Sequence, residues 1–145
     1  MKISTRARYA LRLMIDLASK KGVEGPTALR DVAERQQISK RYLEQLATSL
    51  KNANLVTTLQ GRGGGYVLAR PAEEITVDEI IEASIGRIEI VHCVGSTERC
   101  ARSRSCPSRA MWVKVNDQIN DVFRCVTLAD LRENGDSTGL PCGGG

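Results

Sequence analysis

The sequence predicts a mainly α-helical fold with one small β-hairpin. Apolar residues recur every three or four positions in several stretches, which is typical of helices that bury one face. A β-branched run at 55–59 and a short apolar run at 66–69 flank a glycine-rich turn, which is typical of a hairpin. Hydrophobic residues make up 41% of the 145 residues and aromatic residues only 3%, so we expect an aliphatic core.

Three helices are predicted before the hairpin. The first runs from about Ser4 to Lys20, where two lysines and a glycine favour a helix end. The second runs from about Thr27, as its N-cap, to Gln36, and the third follows Ser39, which can cap it. Their apolar stripes contain Ala7, Ala10, Leu11, Met14, Leu17 and Ala18, then Leu29, Val32 and Ala33, then Leu43, Leu46, Ala47 and Leu50.

The predicted hairpin has a basic, glycine-rich tip at residues 61–65, and Pro71 closes the unit. Two helices separated by a short turn and followed by such a hairpin describe a winged helix-turn-helix, whose second motif helix enters the major groove of DNA. A phosphate-binding loop is the rival interpretation of the glycine run. Such a loop should open a helix, whereas this one joins two strands.

The charge is divided unevenly along the chain. Residues 1–70 hold 13 Lys and Arg against 5 Asp and Glu, whereas residues 71–145 hold 8 against 12. An excess of positive charge in the first half suits a surface that binds phosphates. Solvated basic helices would show the same excess, so the charge supports DNA binding only together with the predicted fold.

A short helix and an irregular segment follow the predicted wing. Thr76 and Glu79 have the spacing of a capping box, and the helix that they begin ends near Gly86. Residues 87–107, called the cysteine loop below, show no periodicity and contain three cysteines.

A long helix is predicted from about Ser108 to Val126, and Thr127 begins a short terminal helix. At 1.5 Å per residue the long helix would span about 28 Å. It is too long and too apolar to stand alone beside so small a domain, so we expect a dimerisation helix and a homodimer. Its apolar side contains Trp112, Val115, Ile119, Val122, Phe123 and Val126.

These elements divide the chain into four parts. We expect a DNA-binding domain at 1–71, a short helix and the cysteine loop at 72–107, the dimerisation and terminal helices at 108–133, and a flexible tail at 134–145. No run of 18 apolar residues and no signal peptide is present, which favours a cytoplasmic protein without a membrane span. A single histidine and the lack of any nucleophile elbow or phosphate loop argue against an enzyme.

The cysteine loop has metal-binding or redox chemistry as its most direct interpretation. Cys93, Cys100 and Cys106 are spaced C-x6-C-x5-C, and thiolates suit iron–sulfur clusters, zinc and copper(I). Zinc sites favour paired C-x2-C knuckles, which are missing from the sequence. A thiol–disulfide switch needs only two of these residues. Nearby cations lower thiol pKa values, and four arginines lie in or next to the loop: Arg99, Arg102, Arg104 and Arg109.

Three cysteines leave one metal coordination position short. His92, the only histidine, adjoins Cys93 and is a weak candidate, with a solvent-facing loop residue as the alternative. Cys142 in the tail is another candidate. We expect Cys125, beside the apolar stripe of the long helix, to be a small packed side chain.

Several segments together resemble the IscR/CymR/NsrR group of bacterial winged-helix regulators. These are residues 1–10, 38–46, 55–56, 61–68 and 127–131. The cysteine loop and the Ala110-Met111-Trp112 that follows it resemble the iron–sulfur branch, and the whole resemblance covers roughly residues 1–133. It implies a homodimer with swapped long helices, recognition of a palindromic operator, and a cluster near the dimer interface.

The resemblance also implies roles for individual residues. Cys93, Cys100 and Cys106 match the cluster cysteines. The wing arginine that reads the minor groove falls at Gln60, and Arg62 nearby would replace it. The recognition-helix positions that face the bases are matched by Arg41, Glu44 and Gln45.

Two departures from the family pattern leave the fourth cluster ligand open. The ligating histidine of the IscR pattern is replaced by Arg109, which does not bind iron, and the first cysteine gap is one residue longer. The carboxylate of NsrR-like members is replaced by Arg8. His92, a residue of a partner chain or a small exogenous thiol remain as candidates.

We therefore expect a DNA-binding transcription regulator that senses an iron–sulfur cluster, with 2Fe–2S favoured and 4Fe–4S possible. Double-stranded DNA would meet Lys40, Arg41, Glu44 and Gln45 of the recognition helix and Arg62, Gly63 and Gly64 of the wing. Lys40, Lys51 and the first-helix arginines would contact phosphates. Two alternatives stay open: a metal-free thiol-switch repressor of the CymR type, and an iron–sulfur carrier or electron-transfer module.

Overall fold

The computed structural model describes residues 2–19, 24–133 and 139–142. Within these ranges it is mainly helical with one antiparallel hairpin, which confirms the predicted fold class. The elements are α1 (Thr5–Ala18), α2 (Leu29–Gln36), α3 (Lys40–Asn52), β1 (Val56–Leu59), β2 (Gly65–Leu68), α4 (Val77–Ile85), α5 (Arg109–Cys125) and α6 (Leu128–Glu133). The predicted end of the first helix at 20–22 and most of the predicted tail lie outside the described residues.

Side-chain caps begin three of the helices where the sequence places them. The Ser4 hydroxyl accepts a hydrogen bond from the Arg6 N–H at 3.1 Å, and the Ser39 hydroxyl accepts one from the Tyr42 N–H at 3.2 Å. Thr76 begins α4 through the predicted capping box with Glu79. These caps satisfy backbone N–H groups that have no partner inside the helix, and so they determine where each helix starts.

Thr27 does not cap α2, contrary to the prediction. Its backbone N–H donates to the Tyr66 carbonyl and its carbonyl accepts from the Tyr66 N–H, both at 2.9 Å. Ala28 takes the N-cap position without a side-chain bond. Because the hairpin binds both backbone groups of Thr27, this β-branched residue stays extended and adds a one-residue third strand to the wing.

The core is aliphatic, as expected, and lies between α1, α2, α3, α4 and α6. Its largest fully buried side chains are Leu13, Met14, Leu17, Val32, Leu43, Leu46, Leu50, Leu55, Val56, Ile75, Ile80 and Leu128. Leu128 of α6 therefore packs in the same core as the helix-turn-helix, although more than 70 residues separate them. The terminal helix is thus part of the N-terminal unit in space.

A buried carboxylate fixes α1 against α2. Asp16 is 5% exposed and accepts two hydrogen bonds from the Arg35 guanidinium, at 2.6 and 3.1 Å, and one from the Gln36 side chain at 2.9 Å. The bond to Asp16 is the largest factor that raises the pKa of Arg35. This pairing holds the first two helices at a set distance, on which the position of α3 depends.

The long helix α5 packs differently from the others. Asn116 is the one buried residue along it, whereas Met111 is 51% and Val122 is 46% exposed. An apolar hollow on its surface is lined by Ile3, Val115, Gln118, Ile119, Val122 and Phe123. In spite of this apolar face, no helix in the described ranges is long and apolar enough to cross a membrane.

Candidate functional site

Helix α3 has one buried side and one exposed side. Leu43, Leu46, Ala47 and Leu50 are its buried residues. Lys40, Arg41, Glu44 and Gln45, the four predicted DNA-binding residues of this helix, are all exposed. Lys40 and Glu44 form an ion pair at 3.5 Å, with side chains 61% and 53% exposed. An exposed pair of this kind contributes only a few tenths of a kcal/mol, so both charges remain available to another molecule.

These side chains are suited to the edges of base pairs. Arginine forms paired hydrogen bonds with guanine, glutamine does so with adenine, and a glutamate accepts from the cytosine amino group. An α-helix fits the width of the major groove, which presents these groups. The exposed side of α3 therefore has both the shape and the functional groups for reading DNA sequence.

The wing tip needs its glycines. Gly61 and Gly63 have φ values of +100° and +69°, in the left-handed region that other residues rarely adopt. Gly64 lies so close to the carbonyl oxygens of Leu59 and Gly61 that a side chain would meet backbone atoms. The turn exposes Arg62 at the tip of the hairpin. A cation on a tight backbone turn suits contact with a DNA backbone or minor groove.

Lys51 and Arg12, which the sequence suggested as phosphate contacts, make contacts within the chain. The Lys51 ammonium donates to the Thr58 hydroxyl at 3.3 Å and so links α3 to the wing. Arg12 donates to the backbone and side chain of Gln36 and lies 5.4 Å from the centre of the Tyr9 ring. Both side chains therefore hold elements of the winged helix together.

Arg6 has a structural position that sequence reasoning missed. Its guanidinium donates to the Ser84 carbonyl and to the Ser49 hydroxyl, each at 2.7 Å. These bonds join α1 to the last turn of α4 and to α3. The Ser49 hydroxyl in turn lies 3.4 Å from the Gln45 carbonyl. The sequence signal was present, since Arg6 lies off the apolar stripe of α1, but spacing alone cannot reveal a partner 78 residues away.

The cysteine loop runs from the C-terminal end of α4 to the N-terminal end of α5, and hydrogen bonds attach it to α5. The Ile90 N–H donates to the Asn116 side chain at 3.0 Å, and Arg109 donates to the Cys93 carbonyl at 3.1 Å. Cys93, Cys100 and Cys106 are free thiols of intermediate exposure. The loop is therefore anchored at its start, while its thiols stay within reach of solvent.

Cys106 has the most distinctive thiol environment of the loop. Its sulfur lies 3.2 Å from the Ser108 hydroxyl, and its carbonyl accepts the Arg109 N–H at 3.3 Å. The hydrogen bond with the Ser108 side chain is the largest cause that lowers the pKa of Cys106, and the charge of Arg102 acts in the same direction. A lowered pKa favours the thiolate, which is the form that binds metals and reacts with oxidants.

The three loop thiols and His92 have side chains that can bind a metal, but their positions do not form a metal site. Thiolates are the ordinary ligands of iron–sulfur clusters. Within the ranges that the structure describes, however, no three His, Cys, Asp or Glu side chains lie close enough together to hold a metal ion. His92 is exposed on the loop. A cluster would therefore require the loop to close around it, together with a fourth ligand.

Cys125 does not pack as a small buried side chain, contrary to our expectation. It is exposed at the end of α5 and forms a disulfide with Cys142, with their Cα atoms 6.4 Å apart. The neighbouring Val126, not Cys125, turns into the core. Cys142 is thus engaged at the far end of α5 and not at the cysteine loop.

Comparison with known proteins identifies the family of this chain. The model of the Rrf2 family, described as an iron-dependent transcriptional regulator, matches residues 3–134. The HTH-type transcriptional regulator CymR of Bacillus subtilis (strain 168) is 40% identical over 131 residues, which are 90% of this chain and 89% of that protein.

Two solved structures have the same fold. The structure of CymR, the global cysteine regulator of B. subtilis, superposes with a TM-score of 0.76 at 39% identity and covers 92% of this chain and 97% of that chain. The structure of T. potens IscR superposes with a TM-score of 0.75 at 34% identity and covers 99% of this chain and 94% of that chain. These relatives are regulators and not enzymes, and they confirm the resemblance found in the sequence. The chain belongs to the Rrf2 family of transcriptional regulators.

Proposed function

We propose that the chain acts in the cytoplasm as a homodimer that binds a palindromic operator and changes its DNA binding when the cysteine loop gains or loses an iron–sulfur cluster. The α3 helix reads the major groove and the wing contacts the neighbouring backbone or minor groove. Two α3 helices must then lie about 34 Å apart, one turn of DNA. The exposed apolar face of α5 supports the dimer, since it has no cover within the described parts of the chain.

The exposed residues of α3 and the wing have distinct roles in this proposal. Gln45 reads adenine, and Glu44 accepts from cytosine and disfavours other bases, while Arg41 is suited to guanine. Lys40 and Arg62 contact phosphates or the minor groove, where they position the protein. Gly63 and Gly64 allow the wing tip to approach the DNA closely.

One observation carries the proposed coupling between the cysteine loop and DNA. The loop follows directly after α4, and Arg6 bonds the last turn of α4 to α3 through Ser84 and Ser49. A change in the loop that moves the end of α4 therefore acts on the recognition helix. A sensor needs such a link, because a ligand shifts an equilibrium only when it favours one of two states.

A comparison of two α3 variants tests the role in reading DNA. Gln45→Ala should weaken binding to the operator far more than binding to random DNA, because it removes a base contact. Lys40→Ala is the matched control and should weaken both by a similar factor, since phosphates are the same in every sequence. Equal losses on both DNAs for Gln45→Ala would contradict the assigned role.

Anaerobic purification tests the cluster. Brown protein with two irons and two sulfides per chain would support a 2Fe–2S cluster, and four of each would support 4Fe–4S. Cys100→Ala should abolish the visible absorbance and leave the oligomeric state unchanged. Protein that stays colourless after reconstitution with iron and sulfide would refute the cluster.

A metal-free thiol switch is the second candidate, and two observations favour it. The loop thiols are not gathered into a metal-binding group in the described chain, and the pKa of Cys106 is lowered. This candidate predicts a colourless protein whose DNA affinity responds to oxidant. An iron–sulfur carrier is not favoured, because the family description is that of a transcriptional regulator.

A further inference from the structure

We propose that Cys125 and Cys142 form a second, reversible thiol–disulfide site, whose oxidation by hydrogen peroxide joins the end of α5 to Cys142, on the other side of α6 in the sequence. The proposal does not depend on any metal or on the cysteine loop. It concerns two residues to which the proposed recognition of DNA assigns no role. Both are exposed, and they are already joined in the structure.

The pair lies far from the loop thiols. Cys125 is the last residue of α5, whereas Cys106 precedes the first residue of that helix. At 1.5 Å per residue, the 17 residues of α5 place the two sites roughly 25 Å apart. The Cα separation of 6.4 Å between Cys125 and Cys142 is within the ordinary range for a disulfide. Cys106 is therefore too far away to compete for this bond within one chain.

The disulfide encloses α6, which is a structural part of the DNA-binding unit. Leu128 is fully buried in the common core, and its N–H donates to the Ile75 carbonyl at 2.8 Å. Just before it, the Val126 carbonyl accepts from the Val77 N–H at 2.9 Å. These contacts attach α6 and the end of α5 to the segment that begins α4.

A disulfide across this segment affects stability mainly by restricting the states of the chain in which α6 is not packed on the core. The bond closes a loop across a sequence separation of 17 residues. Such a bond lowers the entropy of the opened state, and so it favours the docked position of α6. Reduction removes this restriction without removing any contact of α6 with the core. The oxidised chain should therefore hold α6 more firmly than the reduced chain.

The chemistry needs one peroxide molecule for each disulfide. One thiolate attacks the O–O bond of hydrogen peroxide, which gives a sulfenic acid and a hydroxide that takes up a proton to become water. The second thiol displaces the sulfenic oxygen as a second water and forms the S–S bond. Two electrons pass from the two sulfurs to the peroxide. A dithiol reductant reverses the step by thiol–disulfide exchange.

Tryptic mapping of the full chain tests the site directly. Trypsin cuts after Arg124 and Arg132, so it separates the peptides 125–132 and 133–145, each with one cysteine. After peroxide and alkylation of the remaining thiols, we expect these peptides linked to each other, and separate again after dithiothreitol. A variant with all three loop cysteines replaced by serine should give the same link.

Three outcomes of the mapping would overturn the proposal. The peptides could stay separate and alkylated after peroxide. The peptide 125–132 could be linked to a second copy of itself, which would show a bond between chains. The peptide 133–145 could be linked to a peptide of the cysteine loop. The first two outcomes leave the DNA-binding and iron measurements above unchanged.

A melting experiment tests the effect on α6. Reduction of the wild-type chain should lower Tm by about 5–10 °C, as expected for a bond that closes a loop of this size. Cys142→Ser is the control and should show no change in Tm with reductant. Hydrogen exchange of the α6 amides should rise on reduction in the wild type only. An equal Tm in both redox states of the wild type would refute the proposed effect of the disulfide on α6.

Discussion

Gly65, the first residue of β2, offers a quantitative test of how the wing is attached. A Cβ atom at this position would lie 2.5 Å from the Thr27 carbonyl oxygen and 3.0 Å from the Ala28 nitrogen. Both are backbone atoms, so no side-chain rotation relieves the overlap. Ordinary contact begins at 3.4 Å, so Gly65→Ala requires the strand to move away from Thr27 by about 0.9 Å.

The cost follows from the contacts that this movement disturbs. Overpacking of a tight site costs about 1–3 kcal/mol. The two hydrogen bonds of 2.9 Å between Thr27 and Tyr66 lie next to the substitution and contribute about 1 kcal/mol each, so weakening both by half adds about 1 kcal/mol in total. We expect Gly65→Ala to lower the free energy of unfolding by about 2–4 kcal/mol, or Tm by roughly 6–12 °C. Operator binding should weaken as well, because the wing shifts relative to α3.

Urea denaturation followed by circular dichroism measures the effect, with Gly25→Ala as the matched control. A Cβ atom on Gly25 would meet no atom within 4 Å, so this variant should lie within about 0.5 kcal/mol of the wild type. Equal urea midpoints for the two variants would refute the close approach of β2 to Thr27. A loss of DNA affinity without a loss of stability would show instead that the substitution acts at the DNA surface.

Two further predictions concern buried and capping carboxylates. Asp16→Asn should lower the free energy of unfolding by about 2–4 kcal/mol in urea denaturation, because it leaves the Arg35 guanidinium without its anion; an unchanged midpoint would contradict this. Burial alone would raise the pKa of Glu79, but the bonds from Thr76 and Arg70 outweigh it and lower that pKa. The stability from this lowered pKa is present above pH 4.5 and lost as the pH falls through the folded value. Glu79→Gln should therefore be less stable than the wild type at neutral pH, and the difference in the free energy of unfolding should shrink as the pH falls below 4.5. A difference that stays constant with pH would contradict the lowered pKa of Glu79.

Local signals predicted the helices and the hairpin well because these elements depend on neighbouring residues. Ser4, Ser39 and Thr76 act on N–H groups two or three positions away, so their effect can be read from the sequence. Thr27 is a residue whose role the neighbouring sequence does not determine. A cap and an edge strand both suit a threonine, and the partner that decides between them, Tyr66, lies 39 residues later.

The candidate site also contains residues that helical spacing could place and residues that it could not. The exposed side of α3 follows from helical spacing, so Gln45 and Glu44 could be placed from the sequence. Arg6 could not, because its charge suggested a phosphate contact while its partners are a carbonyl and a hydroxyl on two distant helices. The disulfide of Cys125 was missed because it joins a helix end to a tail that has no periodic pattern.

The two cysteine sites lie at opposite ends of α5, and in the proposed dimer this helix connects both of them to the winged helices. The cysteine loop is anchored to α5 through Asn116, and the Cys125 end is joined to α4 through Val126. In the proposed dimer, α5 sets the position of each winged helix relative to its partner. A dimer binds both half-sites only when its recognition helices are about one DNA turn apart. A small rotation at either end of α5 would therefore change operator affinity without any cysteine near the DNA, which suits a regulator whose sensing and reading residues occupy separate parts of the fold.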